Sequence, residues 1–121
     1  MWEKDELTEL IIGRAFVVSN ALGVGYLEKV YENALALELR EAGLRVEQQK
    51  PVPVSYKGTI VGDYVADLIV NGTVILEIKA ASGIDGSHQA QLLNYLKASG
   101  IHTGLILNFG TTHLGLKRMS L

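Results

Sequence analysis

The sequence predicts an α/β fold, a mixed β-sheet flanked by helices in the order α-α-β-β-β-β-α-β-β. Three observations predict it. Apolar residues recur at three- and four-residue steps over the first 42 positions, the spacing of a helix face. From residue 44 the pattern changes to alternation, the spacing of strands. A helical stretch at 87–99 then separates two apolar strands, and such a crossover normally returns a parallel strand on the right-handed side.

The first helix is expected over residues 3–22, where Leu7, Leu10, Ile11, Arg14, Val18, Ala21 and Leu22 follow helical steps. Acids crowd its first turn, as the helix dipole favours. Gly23-Val24-Gly25 breaks it. A second helix is expected over 26–42, with Leu27, Val30, Tyr31, Ala34, Leu37 and Glu38 on one side and Gly43 as its stop. Strands at 44–49 and 52–57 are divided by Pro51, which suggests an edge or a kink. Lys57-Gly58-Thr59 reads as a turn. The strongest strands are 60–70 and 73–80, joined through Asn71-Gly72, a hairpin signal. The third helix, 87–99, takes Ser87 as N-cap and Gly100 as stop. Strands at 103–109 and 113–119 close the chain.

The 121 residues are expected to form a single domain, 1–121. Cysteine is absent, which excludes a disulfide framework, a thiol nucleophile and a cysteine-held zinc or iron–sulfur centre. Eleven Lys and Arg against thirteen Asp and Glu give a net charge of −2. A blanket basic surface is excluded, so nucleic acid must be met through a local patch or a bound cation. The longest uncharged run, between Lys97 and Lys117, contains two His, Asn and four Gly and is too polar to suggest a membrane span. The acidic N-terminus reverses the order of a signal peptide. A cytoplasmic protein with no membrane contact is expected.

The chemistry concentrates in strand 73–80. Val74, Ile75, Leu76 and Ile78 are apolar on both faces, so the strand should be central and covered. Glu77 and Lys79 nevertheless share one of its faces. Asp67 stands among Val65, Leu68, Ile69 and Val70 in the preceding strand. A two-residue loop would pair Val70 with Thr73 and set Asp67 opposite Leu76. A three-residue loop, Asn71-Gly72-Thr73, would pair Val70 with Val74 and set Asp67 opposite Glu77. The chemistry requires the second register. Two carboxylates beside a lysine suit a hard divalent cation, Mg²⁺ or Mn²⁺, whose charge relieves their repulsion. The alternative for Glu77 and Lys79 is a structural ion pair at the end of the strand.

Asp67, then Glu77-Ile78-Lys79, then Gln91-Leu92-Leu93-Asn94-Tyr95 on a helix, resembles the PD-(D/E)XK nuclease superfamily. Gly25-Tyr26-Leu27-Glu28-Lys29-Val30-Tyr31 further resembles the signature of the small GxxExxY family grouped with it. The resemblance extends through Asn108-Phe109-Gly110 to Lys117-Arg118. It departs from the superfamily's name at one position, where Ala66 stands in place of proline. The resemblance implies a restriction-endonuclease-like core and hydrolysis of phosphodiester bonds in DNA, with RNA second. It implies Asp67 and Glu77 as metal ligands with the Ile78 backbone carbonyl, Glu28 acting through a water, and Lys79 as catalytic lysine. Gln91 and Tyr95 would line the cleft and position the lysine or the substrate.

Simpler roles stand beside these. Glu28 near a helix start favours the dipole, and Tyr31 suits the core or a substrate-binding cleft wall. Tyr26, Tyr56 and Tyr64 offer faces for bases but also suit half-buried packing. His88 is placed to approach phosphate, while His102 and His113 lack ligand spacing. Lys29, Lys97, Lys117 and Arg118 offer either a phosphate-facing rim or a solvated surface. Exposed sheet edges, and the two sites needed to cut a duplex, suggest a homo-oligomer. The competing function is a catalytically silent module that keeps the nuclease fold to bind nucleic acid or protein.

Overall fold

In the computed structural model, residues 4–121 are described. The elements are α1 (Lys4–Leu22), α2 (Glu28–Glu41), β1 (Val46–Tyr56), β2 (Thr59–Val70), β3 (Val74–Lys79), α3 (Gly86–Ser99), β4 (Thr103–Asn108) and β5 (Gly115–Ser120). The five strands form one mixed sheet in chain order, β1-β2-β3-β4-β5. Only β3–β4 is parallel, and α3 makes that crossover, as the sequence predicts.

One strand fewer precedes α3 than the alternation suggests. Pro51 does not divide the first segment; 46–56 is one continuous strand at the edge of the sheet. An edge strand loses little from a missing N–H, which is why Pro51 and Pro53 are both accommodated there. Lys57 and Gly58 take positive φ in the tight turn that pairs Tyr56 with Thr59.

The sheet is covered on both faces. Leu7, Ile11 and Val18 of α1 and Tyr31, Leu35 and Leu39 of α2 pack with Leu68, Val70, Leu76, Ile78, Leu105 and Leu107. On the other face, Leu92, Tyr95 and Leu96 of α3 pack with Val52, Ala66, Ile69, Ile75 and Ile106. The buried stripe of α2 differs from expectation. Leu27 and Leu37 are exposed, and the inward residues are Tyr31, Glu32, Leu35, Ala36 and Leu39. This stripe repeats every four residues as faithfully as the other, and it includes an acid.

The cap of α3 is also two residues earlier than expected. Asp85, not Ser87, is the N-cap, and its carboxylate accepts the N–H groups of Ser87 and His88. The Nδ1 of His88 accepts from the N–H of Asp85 in return, a capping box. Gly100 ends the helix with φ 74°.

Candidate active site

The hairpin joining β2 to β3 sets the geometry. Val70 pairs with Val74 and Leu68 with Leu76, so Asn71-Gly72-Thr73 is the three-residue loop and Asp67 falls opposite Glu77. Asn71 and Gly72 take φ of 52° and 66°, values that glycine adopts at little cost and asparagine more readily than most.

Regular pairing stops at Leu68–Leu76, and side chains take over. The Asp67 N–H donates to Oε2 of Glu77 at 3.0 Å, and the Ile78 N–H donates to Oδ2 of Asp67 at 2.8 Å. Each carboxylate thus satisfies a backbone donor of the opposite strand. Glu77 is almost fully buried, and Asp67 is half-buried. Burial, then the adjacent Asp67, pushes the Glu77 carboxyl up to about 8. Burial also raises Asp67, with Glu32 adding to the rise while the Ile78 hydrogen bond opposes it.

Lys79 follows on the same face as Glu77. Its ammonium donates to Oε1 of Gln91 at 3.0 Å, and Nε2 of Gln91 donates to the Tyr95 hydroxyl at 3.1 Å. Gln91 and Tyr95 stand four apart on α3, so one helix face presents the relay. Burial raises the Tyr95 hydroxyl, which stays neutral and able to accept. Lys79 is therefore aimed by Gln91 and forms no ion pair with Glu77 among the described residues.

The acid that α2 brings towards this site is Glu32. It is buried and accepts from Lys29 Nζ at 3.0 Å, Gln48 Nε2 at 2.9 Å and Gln49 Nε2 at 2.8 Å. Gln49 Nε2 also donates to Oδ1 of Asp67 at 3.3 Å, which links the two acids. Gln49 does this from φ 51°, a left-handed conformation uncommon for a side chain of its size. Such backbone strain is sustained only where surrounding contacts over-determine it. The face alternation of β1 and β2 breaks at the same place. Val46 and Leu68 pack with α1 and α2, whereas Val52 and Ala66 pack with α3.

Other expected site residues lie elsewhere. Glu28 is exposed at the first residue of α2 and makes no side-chain hydrogen bond or ion pair among the described residues. Tyr31 has no exposed surface to offer a substrate. Its ring stacks on Phe109 at 4.9 Å, and its hydroxyl donates to the Gly23 carbonyl at 2.6 Å. Tyr31 thus ties the loop before α2 to the core. His88 is committed to the capping box rather than to a phosphate.

The sequence places Asn108 in the Asn108-Phe109-Gly110 stretch of the resemblance but gives it no role. Its Oδ1 accepts the Ala81 N–H at 2.9 Å and its Nδ2 donates to the Ala81 carbonyl at 3.0 Å. Phe109 N–H donates to the Lys79 carbonyl, so the chain leaving β3 is held on both sides of Ala80. A Cβ at Gly110 would collide with the Ala80–Ala81 backbone, which explains the glycine after this clamp.

Among the described residues no group of three or more His, Asp or Glu side chains is arranged to hold a metal. The donor set fits Mg²⁺ in its economical mode, which uses one or two carboxylates and keeps several waters. Asp67 and Glu77 would supply those carboxylates, since each retains one oxygen that accepts no backbone N–H. Among the described residues no helix is long and apolar enough to cross a membrane.

No curated protein matches the sequence. Among solved structures, the fold is similar to the crystal structure of SSO0001 at TM-score 0.60 and 19% identity. The match covers 97% of this chain but 58% of that one, so the chain spans less than two-thirds of that protein. The profile of the PD-(D/E)XK nuclease superfamily matches residues 5–119, nearly the whole chain. With Asp67, Glu77 and Lys79 gathered as that superfamily's name requires, the chain belongs to the PD-(D/E)XK nuclease superfamily.

Proposed function

We propose that the protein is a divalent-cation-dependent nuclease that hydrolyses phosphodiester bonds in DNA, and that it belongs to the GxxExxY branch of its superfamily. The observation that carries this reading is the pair of hydrogen bonds from the Asp67 N–H to Glu77 and from the Ile78 N–H to Asp67, beside a Lys79 that makes no ion pair among the described residues and is aimed by Gln91. A buried and a half-buried carboxylate at such proximity repel one another, and burial makes the repulsion worse. A cation at the site would offset charge building on a phosphoryl oxygen and acidify a nearby water.

Within the proposal, Asp67, Glu77 and the Ile78 carbonyl hold the cation, with Mg²⁺ or Mn²⁺ as its identity. Lys79 orients the attacking water or stabilises charge on the phosphate, and Gln91 fixes the ammonium for that task. Tyr95 holds Gln91. Glu32, clamped by three donors, holds Gln49 and through it the orientation of Asp67. Incubating the purified, folded protein with plasmid, linear and single-stranded DNA in Mg²⁺ or Mn²⁺ tests the reading. Cleavage is expected, and no cleavage of any substrate overturns it.

A second reading is a catalytically silent module that binds nucleic acid or protein. The absence of a three-acid group among the described residues and the net charge of −2 favour it. Calorimetry separates the two, because a silent module has no requirement for Mg²⁺. The proposal also includes a cytoplasmic location and self-association. Pro51 and Pro53 on β1 and Lys117 and Arg118 on β5 blunt both sheet edges. The exposed Phe16, Val17, Leu27 and Leu37 of the α1–α2 layer are a better contact for a second copy, which light scattering tests.

A further inference from the structure

Strand β2 pairs with β1 along nearly its full length but with β3 only at residues 68–70. Residues 50–66 therefore extend past β3 as a two-stranded arm. The inner side of this arm rests on α3, where Val52 and Ala66 meet Leu92, Tyr95 and Leu96. Two open cavities lie along the seam. One, of about 540 Å³, is bordered by Ser55, Tyr64, Asn94 and Lys97. The other, of about 370 Å³, is bordered by Tyr64, Ser87, Gln91, Asn94 and Tyr95. Tyr64 and Asn94 border both, so the two cavities adjoin along the seam as a two-part groove. Its inner end is Gln91, the residue that holds the Lys79 ammonium.

Resting on the nuclease reading above, we propose that this groove carries a single strand of nucleic acid into the active site, with Tyr64 stacking on a base and Lys97 meeting a phosphate. Size is the first argument. Cavities of this volume accommodate one small organic molecule each, the scale of a nucleotide and far below that of a duplex. Chemistry is the second. No Asp or Glu borders either cavity, although acids outnumber bases in the whole chain. Ser55, Ser87 and Asn94 supply neutral donors and acceptors suited to sugar and phosphate oxygens. Lys97 is exposed and makes no ion pair among the described residues.

Tyr64 supplies the third argument. Its ring leans on Tyr95 with centroids 5.2 Å apart and planes at 56°, yet it remains 43% exposed. A ring braced on one side and open on the other offers a stacking face while losing little freedom on binding. Every base has a π-face, so the groove selects strandedness rather than sequence. With a net charge of −2 there is little long-range attraction to a duplex, and affinity must come from such local contacts.

Fluorescence anisotropy with a labelled 12-nucleotide single-stranded DNA, without metal, tests the groove. A duplex of the same length is the comparison probe. Wild-type protein is expected to bind the single strand more tightly than the duplex. Tyr64→Ala should weaken single-strand binding by roughly 5- to 100-fold, the range for losing one base–aromatic stack. Tyr64→Phe should retain it. Lys97→Glu, on the exposed face of α3, should weaken binding and make the salt dependence shallower. Unchanged affinity in both Tyr64→Ala and Lys97→Glu, duplex preference, or no binding at all overturns the proposal. Hydrolysis of bis(4-nitrophenyl) phosphate by wild type in Mn²⁺ reads the catalytic site without needing the groove. If that hydrolysis is absent while Tyr64-dependent binding persists, the nuclease reading fails and the groove stands. If hydrolysis occurs without single-strand preference, the groove fails and the nuclease reading stands.

Discussion

Asp67 and Glu77 cross-satisfy the two strands that carry them: the Asp67 N–H reaches Oε2 of Glu77, and Oδ2 of Asp67 receives the Ile78 N–H. Strand pairing gives way to carboxylates at the place where a cation would sit. The acids are thus held in position by the backbone before any metal arrives, and preorganisation of this kind is what a catalytic centre needs.

The metal-free protein should lose stability as pH rises. The Glu77 carboxyl sits at about 8 in the folded chain against an ordinary 4.5, so the folded state holds its proton more tightly. That contribution is full below about 4.5 and declines until pH passes about 8, and the raised Asp67 acts in the same direction. Melting curves between pH 4.5 and 8.5 in EDTA are expected to show the decline. Glu77→Gln keeps the oxygen that accepts from Asp67 and should flatten it, raising the melting temperature at pH 8. A wild-type melting temperature that climbs over this range would contradict the expectation.

Mg²⁺ should reverse the trend, because protons and cation compete for the same carboxylates. The rise in melting temperature on adding Mg²⁺ is expected to be larger at pH 8 than at pH 6. Asp67→Asn and Glu77→Gln should each abolish it. Titration calorimetry on the same variants checks that binding itself is lost.

Lys79→Ala should reduce cleavage by about 100- to 1,000-fold, the usual cost of removing one charge-stabilising donor. Cation affinity should persist, since a protonated lysine has no lone pair to offer. Lys79→Arg should not restore the rate, because a planar guanidinium cannot place its charge where the ammonium lies against Gln91. Cleavage assays with parallel calorimetry separate the two effects.

Glu32 and Glu28 should behave oppositely. Glu32→Ala removes the acceptor shared by Lys29, Gln48 and Gln49 and should cost about 1–3 kcal/mol of stability. It also frees Gln49 from its left-handed conformation and loosens Asp67, so activity should fall with it. Glu28→Ala touches no partner and should stay within about 0.5 kcal/mol of wild type. Urea denaturation and cleavage rates of both variants check this.

Asn108→Ala leaves the N–H and carbonyl of Ala81 without their partner and should destabilise by about 1–3 kcal/mol. The segment after Lys79 should exchange its amide hydrogens faster, and cleavage should weaken with cation binding retained. Hydrogen exchange across residues 79–84 is the measurement.

Much of this was legible in the chain. Acids and a lysine in apolar strands cannot lie unaccompanied, so Asp67, Glu77 and Lys79 announced themselves. The hairpin offered only two registers, and the chemistry chose between them. Glu32 was hidden because Leu27, Val30 and Leu37 form an equally periodic stripe on α2, and a polar residue discounts the stripe that contains it. Glu28 drew attention as the acid within a recognisable motif, while burial falls one turn later. Gln49 carries no pattern, and Asn108 stands in a recognisable stretch that names no task for it. Their roles come from positive φ and from two backbone atoms 27 positions away, which no local spacing encodes.

The order of strands in the sheet repeats their order in the chain, and this has a consequence for how the protein acquires its site. Nearly every pairing closes a short loop; the β3–β4 pairing across α3 is the long one. Topologies dominated by local closures have low contact order and fold rapidly. Asp67 and Glu77 meet across a loop of three residues, so little chain entropy opposes bringing the two acids together. Burial within the folded sheet then raises the cost of charge on Glu77. The two acids are therefore brought together by one of the shortest closures in the chain, and the rest of the sheet and its helices supply the burial that sets their chemistry.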